Sequence, residues 1–131
     1  MIVVSDNAIV KKSKGRRDIM RTYSVGILGA TGVVGQRYID MLRGHPWFKV
    51  SFVAASQSSS GKTYGEAVEG RWQCARNIPD DIAAMTVYNL DDIAYAVDKC
   101  DFIFSALGGD VARIYEEKYA EAGFPVVSNA S

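Results

Sequence analysis

Gly29, Gly32 and Gly35 stand three apart, as G-x-x-G-x-x-G, directly after the apolar run 25–28. A glycine turn that leaves a strand and opens a helix collects unpaired backbone N–H groups at the positive end of the helix dipole. Such a turn attracts a phosphate, and the missing Cβ atoms let the backbone approach it. In this pattern Gly29 allows the tight turn, Gly32 the close approach of a diphosphate, and Gly35 close packing of helix on strand. Thr31 adds a hydroxyl that can cap the helix or donate to a phosphate. The other reactive side chains are few. His45 is the only histidine, and it sits at a helix end beside Pro46, which suits a helix-terminal or packing role. Cys74 and Cys100 lack metal-ligand spacing, so a structural zinc site is not expected.

The elements that must hold this turn alternate as strand and helix. Residues 25–28 read as a buried parallel strand. The helix after the turn places Val34, Tyr38, Met41 and Leu42 on one face and stops at Gly44-His45-Pro46. Phe48–Ala55 reads as the second strand. Residues 63–81 are a polar excursion anchored by Trp72, with Cys74 packed beside it. A short third strand follows at 85–88, then a helix through Val97 capped by Asp91 or Asp92. Residues 100–107 form a β-prone strand ending in Gly108-Gly109. Asp110 starts a helix with Val111, Ile114, Tyr115, Tyr119 and Ala122 inward, Gly123 ends it, and 124–128 is the last strand. The expected fold is α/β: a doubly wound, Rossmann-like parallel sheet with helices on both faces, incomplete at its carboxyl end.

Parallel strands align their carboxyl ends, so the second strand's end faces the same crevice as the glycine turn. A carboxylate there would bind ribose hydroxyls and repel a 2′-phosphate. The chain instead has Ser56-Gln57-Ser58-Ser59-Ser60-Gly61-Lys62, whose hydroxyls and lysine suit a 2′-phosphate. On electrostatics alone the cofactor expected is NADP.

Composition limits the alternatives. The 131 residues balance 15 basic against 15 acidic side chains, and no apolar run is long enough to cross a bilayer. Six basic residues crowd the first 22, leaving nine basic and thirteen acidic residues in the body. An acidic body argues against a nucleic-acid-binding surface. Residues 1–22 read as a basic, disordered extension, or as an overlong start with Met20 as the alternative first residue. Residues 23–131 read as the nucleotide-binding domain. Two cysteines make no disulfide framework, so a reducing, cytoplasmic setting is expected.

Five blocks then resemble one family in order and spacing: GATGVVGQR (29–37), HPWFKV (45–50), AASQSSSGKTYGEAV (54–68), DFIFSALGGDVA (101–112) and AGFPVVSNAS (122–131). Over 23–131 they resemble the amino-terminal part of aspartate-semialdehyde dehydrogenase, in its archaeal and fungal branch. The resemblance implies an enzyme that uses NADPH to reduce aspartyl phosphate to aspartate semialdehyde and phosphate. It implies that Thr31, Gly32, Val33 and Val34 hold the pyrophosphate, and that Ser56, Ser59 and Lys62 contact the adenosine phosphate. Ser105, Ala106, Leu107 and Gly108 would line the cofactor channel, with Asn129 near the nicotinamide end. The family usually has an arginine where this chain has Ser58, which should weaken discrimination for NADP over NAD. The nucleophilic cysteine, the histidine base and the substrate arginines fall beyond residue 131, so no catalytic residue is expected here and this chain alone should be inactive. A small-molecule substrate and a homo-oligomer are expected only of the full-length protein. Related acyl-phosphate or acyl-CoA reductases (N-acetyl-glutamyl-phosphate reductase, malonyl-CoA reductase) and a non-catalytic nucleotide-binding module are the alternatives. A short-chain dehydrogenase fits less well, because Tyr115 and Lys118 are one residue too close for its Tyr-x-x-x-Lys pair.

Overall fold

The computed structural model describes residues 22–128 and the backbone of 2–3. Five parallel strands form the sheet: β2 (Tyr23–Leu28), β3 (Phe48–Ala55), β4 (Val87–Asn89), β5 (Phe102–Ser105) and β6 (Val126–Ser128). A sixth, β1 (Ile2–Val3), pairs antiparallel with β6, giving the order β1-β6-β5-β2-β3-β4. The chain steps outward from β2 to β4, returns to the other side of β2 and continues through β6. The order therefore reverses between β2 and β5, where an open α/β sheet forms its crevice.

Alternation along the strands sorts the core into two layers. Val25, Ile27, Val50, Val53 and Val87 pack against α1 (Val33–Met41), α2 (Tyr64–Ala67) and α3 (Asp80–Ala83). Leu28, Phe52, Ala54, Ile103 and Val126 pack against α4 (Ile93–Lys99) and α5 (Gly109–Glu121). The doubly wound expectation holds. One irregularity serves the packing: the β2–β3 register shifts between Val25 and Gly26, so Val25 pairs with Val50 and Gly26 with Phe52. The skipped Ser51 keeps its hydroxyl satisfied by donating to Lys99 O at 2.6 Å.

Several expectations are corrected. The inward line of α1 is Gly35, Gln36 and Ile39, while Val34 is exposed and Met41 is 73% exposed. The cause is Gly35, whose bare Cα is the helix's point of closest approach and so sets its rotation. Tyr38 is left on the flank, stacked on Phe104 of β5 at 5.5 Å. Likewise α5 turns Ala112, Glu116 and Tyr119 inward and leaves Val111, Ile114 and Ala122 exposed. A buried acid at 116 made that face unreadable from apolar spacing. The third strand is Val87–Asn89, because Met85 N–H closes the α3 turn on Ile82 O. Asp92 occupies the N-cap of α4 without capping it, since its carboxylate accepts from Asn89 N–H. The expected disorder of the leader concerns mostly residues 4–21, which lie outside the described residues; Ile2–Val3 form β1.

Gly35 makes the tightest demand on the fold. A Cβ there would stand 2.2 Å from Gly29 O and 2.7 Å from Ala30 Cα, both backbone atoms that cannot swing aside. Gly35→Ala should therefore cost roughly 2–3 kcal/mol or more, as overpacking against rigid neighbours does. Urea unfolding would show this as a lower midpoint, with Gly32→Ala as the control that keeps it. An unchanged midpoint for Gly35→Ala would refute the contact.

Candidate functional site

The carboxyl ends of β2, β3 and β5 meet at residues 29–35. Gly29 has φ +77, a left-handed conformation that favours glycine. Its N–H and that of Ala30 both donate to Ala54 O, at 2.9 and 3.1 Å, which ties the turn to the end of β3. Ala106 N–H donates to Leu28 O at 2.8 Å, and a Cβ on Gly29 would meet Leu107 Cδ2 at 3.0 Å. The turn and the segment after β5 thus lie in contact.

Gly32 is the N-cap of α1, extended, with no side-chain cap. Thr31 therefore does not cap the helix. The first full helical bond runs from Gln36 N–H to Gly32 O at 2.9 Å, so the amides of Val33, Val34 and Gly35 precede it and have no acceptor within the helix. A Cβ on Gly32 would meet only Gly29 O, at 3.7 Å. It would point into the open face in front of those amides. The three glycines thus divide the work into turn, open face and packing.

Two buried side chains complete the turn, and the sequence reading missed both. Tyr64 donates its hydroxyl to Ala30 O at 2.7 Å, and Gln36 Nε2 donates to Thr31 O at 3.0 Å. Each pulls a carbonyl into the protein, which leaves the turn's open face to N–H groups rather than to oxygen. That is the polarity an anion needs. Burial raises the Tyr64 hydroxyl pKa well above its ordinary value, so it stays a donor at any physiological pH. Gln36 also donates to Arg71 O at 3.1 Å and accepts from Gln73 N–H at 2.8 Å, which fastens the 63–81 excursion to the turn. The available signal was Gln36 itself, a polar residue beside the glycine that docks the helix.

The loop after β3 is pinned at both ends. Ser59 and Ser60 N–H donate to Ser56 O, and Gly61 N–H and Lys62 O pair with Val87 of β4. Ser56, Ser58 and Lys62 are exposed, whereas Ser59 is buried. Glu66, the first carboxylate after β3, is engaged elsewhere. It accepts from Thr63 N–H and Thr63 Oγ1, both at 3.0 Å, in the capping box of α2. Those two hydrogen bonds hold its carboxyl below the usual range. On the other side, Ser105 is fully buried and its Oγ accepts from Leu107 N–H at 3.4 Å. Ala106 and Leu107 are half-buried and Gly108 is exposed as the N-cap of α5. Asn129 lies outside the described residues.

His45 is remote from this cluster. Its Nδ1 accepts from Trp47 N–H at 3.0 Å and Phe48 N–H at 3.3 Å, at the amino-terminal end of β3. It shares a cavity of about 350 Å³ there with Arg43, Lys49 and Asp81. A groove of about 510 Å³ runs along α1 past Val33, Val34, Arg37, Tyr38 and Met41. Val33 and Val34, whose amides open α1, line the end of that groove. A diphosphate held by backbone N–H groups needs no enclosure by this domain alone.

Residues 24–131 match the family model described as semialdehyde dehydrogenase, NAD binding domain. The chain belongs to this family. It is 51% identical over 109 residues to aspartate-semialdehyde dehydrogenase of Archaeoglobus fulgidus, covering 83% of this chain and 30% of that protein. It is 43% identical over 110 residues to malonyl CoA reductase (NADP) of Metallosphaera sedula, covering 84% of this chain and 29% of that protein. The crystal structure of aspartate semialdehyde dehydrogenase with NADP from Candida albicans superposes with a TM-score of 0.77 at 38% identity, over 84% of this chain and 30% of that one. The chain thus spans about 30% of the length of these relatives.

Within this semialdehyde dehydrogenase domain neither cysteine is set up as a nucleophile. Cys100 is buried, donates to Ala96 O at 3.4 Å, and is pushed up to about 12 by burial and then by Asp101. Burial and then the Asp40 carboxylate also raise the Cys74 thiol, which lies 3.6 Å from Gln36 O. Both groups are therefore thiols near pH 8, and native iodoacetamide labelling should run slower than in denaturant, at least about tenfold so at Cys100. Rapid labelling of either cysteine in the native state would contradict this. Tyr64→Phe strands a buried carbonyl at the turn and should cost about 1–3 kcal/mol in denaturant unfolding. A wild-type midpoint would mean that Ala30 O needs no donor.

Proposed function

We propose that this chain is the cofactor-binding domain, residues 23–131, of an NADPH-dependent aspartate-semialdehyde dehydrogenase. One observation carries the reading: the amides of Val33, Val34 and Gly35 have no acceptor within the helix, and Tyr64 and Gln36 engage the neighbouring carbonyls of Ala30 and Thr31. The amides of Thr31, Gly32, Val33 and Val34 hold the diphosphate, and Gly29 and Gly35 shape the turn behind them. Lys62 and the hydroxyls of Ser56 and Ser59 take the 2′-phosphate, with Glu66 kept out of play by its helix cap. Ser105, Ala106, Leu107 and Gly108 form the opposite wall, and Asn129 lies toward the nicotinamide. Bound NADPH supplies the hydride that reduces an acyl phosphate. This domain orients the dinucleotide, while the nucleophile, base and substrate-binding groups come from the remainder of a longer polypeptide, working as a cytoplasmic homo-oligomer. Residues 1–22 stay outside the binding role.

The similarity to a malonyl CoA reductase (NADP) favours a second reading in which the acyl donor is a thioester. The cofactor half would be the same. Assay of the full-length protein with aspartate semialdehyde, phosphate and NADP, against malonyl-CoA and NADPH, separates the two.

Calorimetry on the chain tests the cofactor assignment. NADPH should bind at least about tenfold more tightly than NADH, equivalent to about 1.4 kcal/mol. Gly32→Val should abolish binding while leaving the thermal midpoint near wild type, since its side chain enters the ligand's space rather than the protein's. Equal affinities would remove the 2′-phosphate contacts from the account, and a folded Gly32→Val that binds normally would remove the diphosphate contact.

A further inference from the structure

The cavity at the amino-terminal end of β3 lies at the other end of the strand from the glycine turn, and no residue of the cofactor assignment lines it. Its apolar lining comes from three elements: Ile39 and Leu42 at the end of α1, Val50 of β3 and Ile82 of α3. Ile39, Val50 and Ile82 are buried members of the core. The volume, about 350 Å³, is near the lower end of small-molecule sites, which run from about 300 to 1,000 Å³. Any ligand it takes is therefore small.

Charges stand around this lining without neutralising one another. Arg43 comes from the end of α1 and Lys49 from the start of β3, whereas Asp81 comes from α3. The Arg43 guanidinium donates to Asp40 Oδ1 at 3.3 Å and to Asn77 O, yet its buried Nε has no acceptor among the described residues. Asp40 also pairs with Arg76 at 3.2 Å, so two guanidinium groups share one carboxylate and positive charge is left over. Lys49 and Asp81 are exposed, and among the described residues neither forms an ion pair or a side-chain hydrogen bond. His45 Nδ1 accepts from the Trp47 and Phe48 amides, which places the ring proton on Nε2 and leaves that nitrogen a donor.

The two signs of charge decide the ligand. A simple anion would meet Asp81 as well as the cations, and a simple cation would meet Arg43 and Lys49 as well as Asp81. A zwitterion satisfies both, through charge-assisted hydrogen bonds at each end. The aliphatic lining adds a third requirement, an apolar group on the same small molecule.

We propose that this cavity binds a free α-amino acid with an aliphatic side chain. Its carboxylate lies on Arg43 and Lys49, with the His45 Nε2 proton as a further donor, and its ammonium lies on Asp81. Its side chain packs against Ile39, Val50 and Ile82. The proposal does not rest on the cofactor-binding reading, because the two sites share no residue.

The test is a titration of the isotopically labelled chain with L-leucine, followed through its backbone amide shifts. Saturable shifts should centre on 42–50 and 79–82, with those of 29–35 unmoved, and give a Kd of about 1 mM or tighter. Isocaproate lacks the ammonium, isoamylamine lacks the carboxylate and glycine lacks the side chain; each should bind at least about threefold more weakly. Lys49→Met and Asp81→Asn alter exposed side chains with no partner among the described residues, so both should fold. Each should weaken L-leucine at least about threefold. Gly32→Val should bind L-leucine as the wild type does, so a failed cofactor reading leaves this test intact. Absence of saturable shifts in the wild type overturns the proposal. So does any of the three analogues binding as tightly as L-leucine, or undiminished binding in either Lys49→Met or Asp81→Asn.

Discussion

The contact on which the molecule depends is the approach of Gly35 to the carbonyl of Gly29. A helix can stand that close to the turn before it only where no Cβ intervenes, and a Cβ here would lie 2.2 Å from the oxygen. From this contact follow the rotation of α1, the exposure of its first amides and the inward path of Gln36. Bringing amides to a surface is not sufficient, because every amide has a carbonyl beside it. The two carbonyls that could spoil the site are drawn away by Tyr64 and Gln36, whose hydrogen bonds are stronger for being shielded from water.

This gives the 63–81 excursion a purpose. Its short helices pack on one face of the sheet and carry Tyr64 under the turn, and the segment between them presents Arg71 and Gln73 to Gln36. Trp72 stacks edge-on to Tyr64 and donates to Arg76 O at 2.7 Å, which keeps the excursion closed on itself. The same stretch removes Glu66 from the crevice through the α2 capping box. A segment that looks irregular in sequence thus governs both the geometry of the anion site and the charge around it.

The parts legible in the sequence were those carried by residue type alone. Glycine spacing located the turn, the apolar run Phe48–Ala55 gave a strand with those same bounds, and the absence of a carboxylate through 56–62 could be read directly. What could not be read were the positions where a polar side chain is buried for a tertiary reason. Gln36 and Glu116 both sit on inward helix faces, so apolar periodicity pointed to Val34, Met41, Val111 and Ile114 instead. Tyr64 was hidden in the same way, since its partner is a backbone carbonyl 34 residues earlier. The antiparallel pairing of Ile2–Val3 with β6 was likewise invisible, because a two-residue strand has no period to detect.

The most direct measurement of the central claim is an NMR titration of the isotopically labelled chain with NADPH, following each backbone amide. The account predicts that the amides of Thr31, Gly32, Val33 and Val34 shift most, with those of the 56–62 loop next and those around His45 unmoved. Shifts centred on the His45 cavity, with the 31–34 amides unchanged, would contradict it.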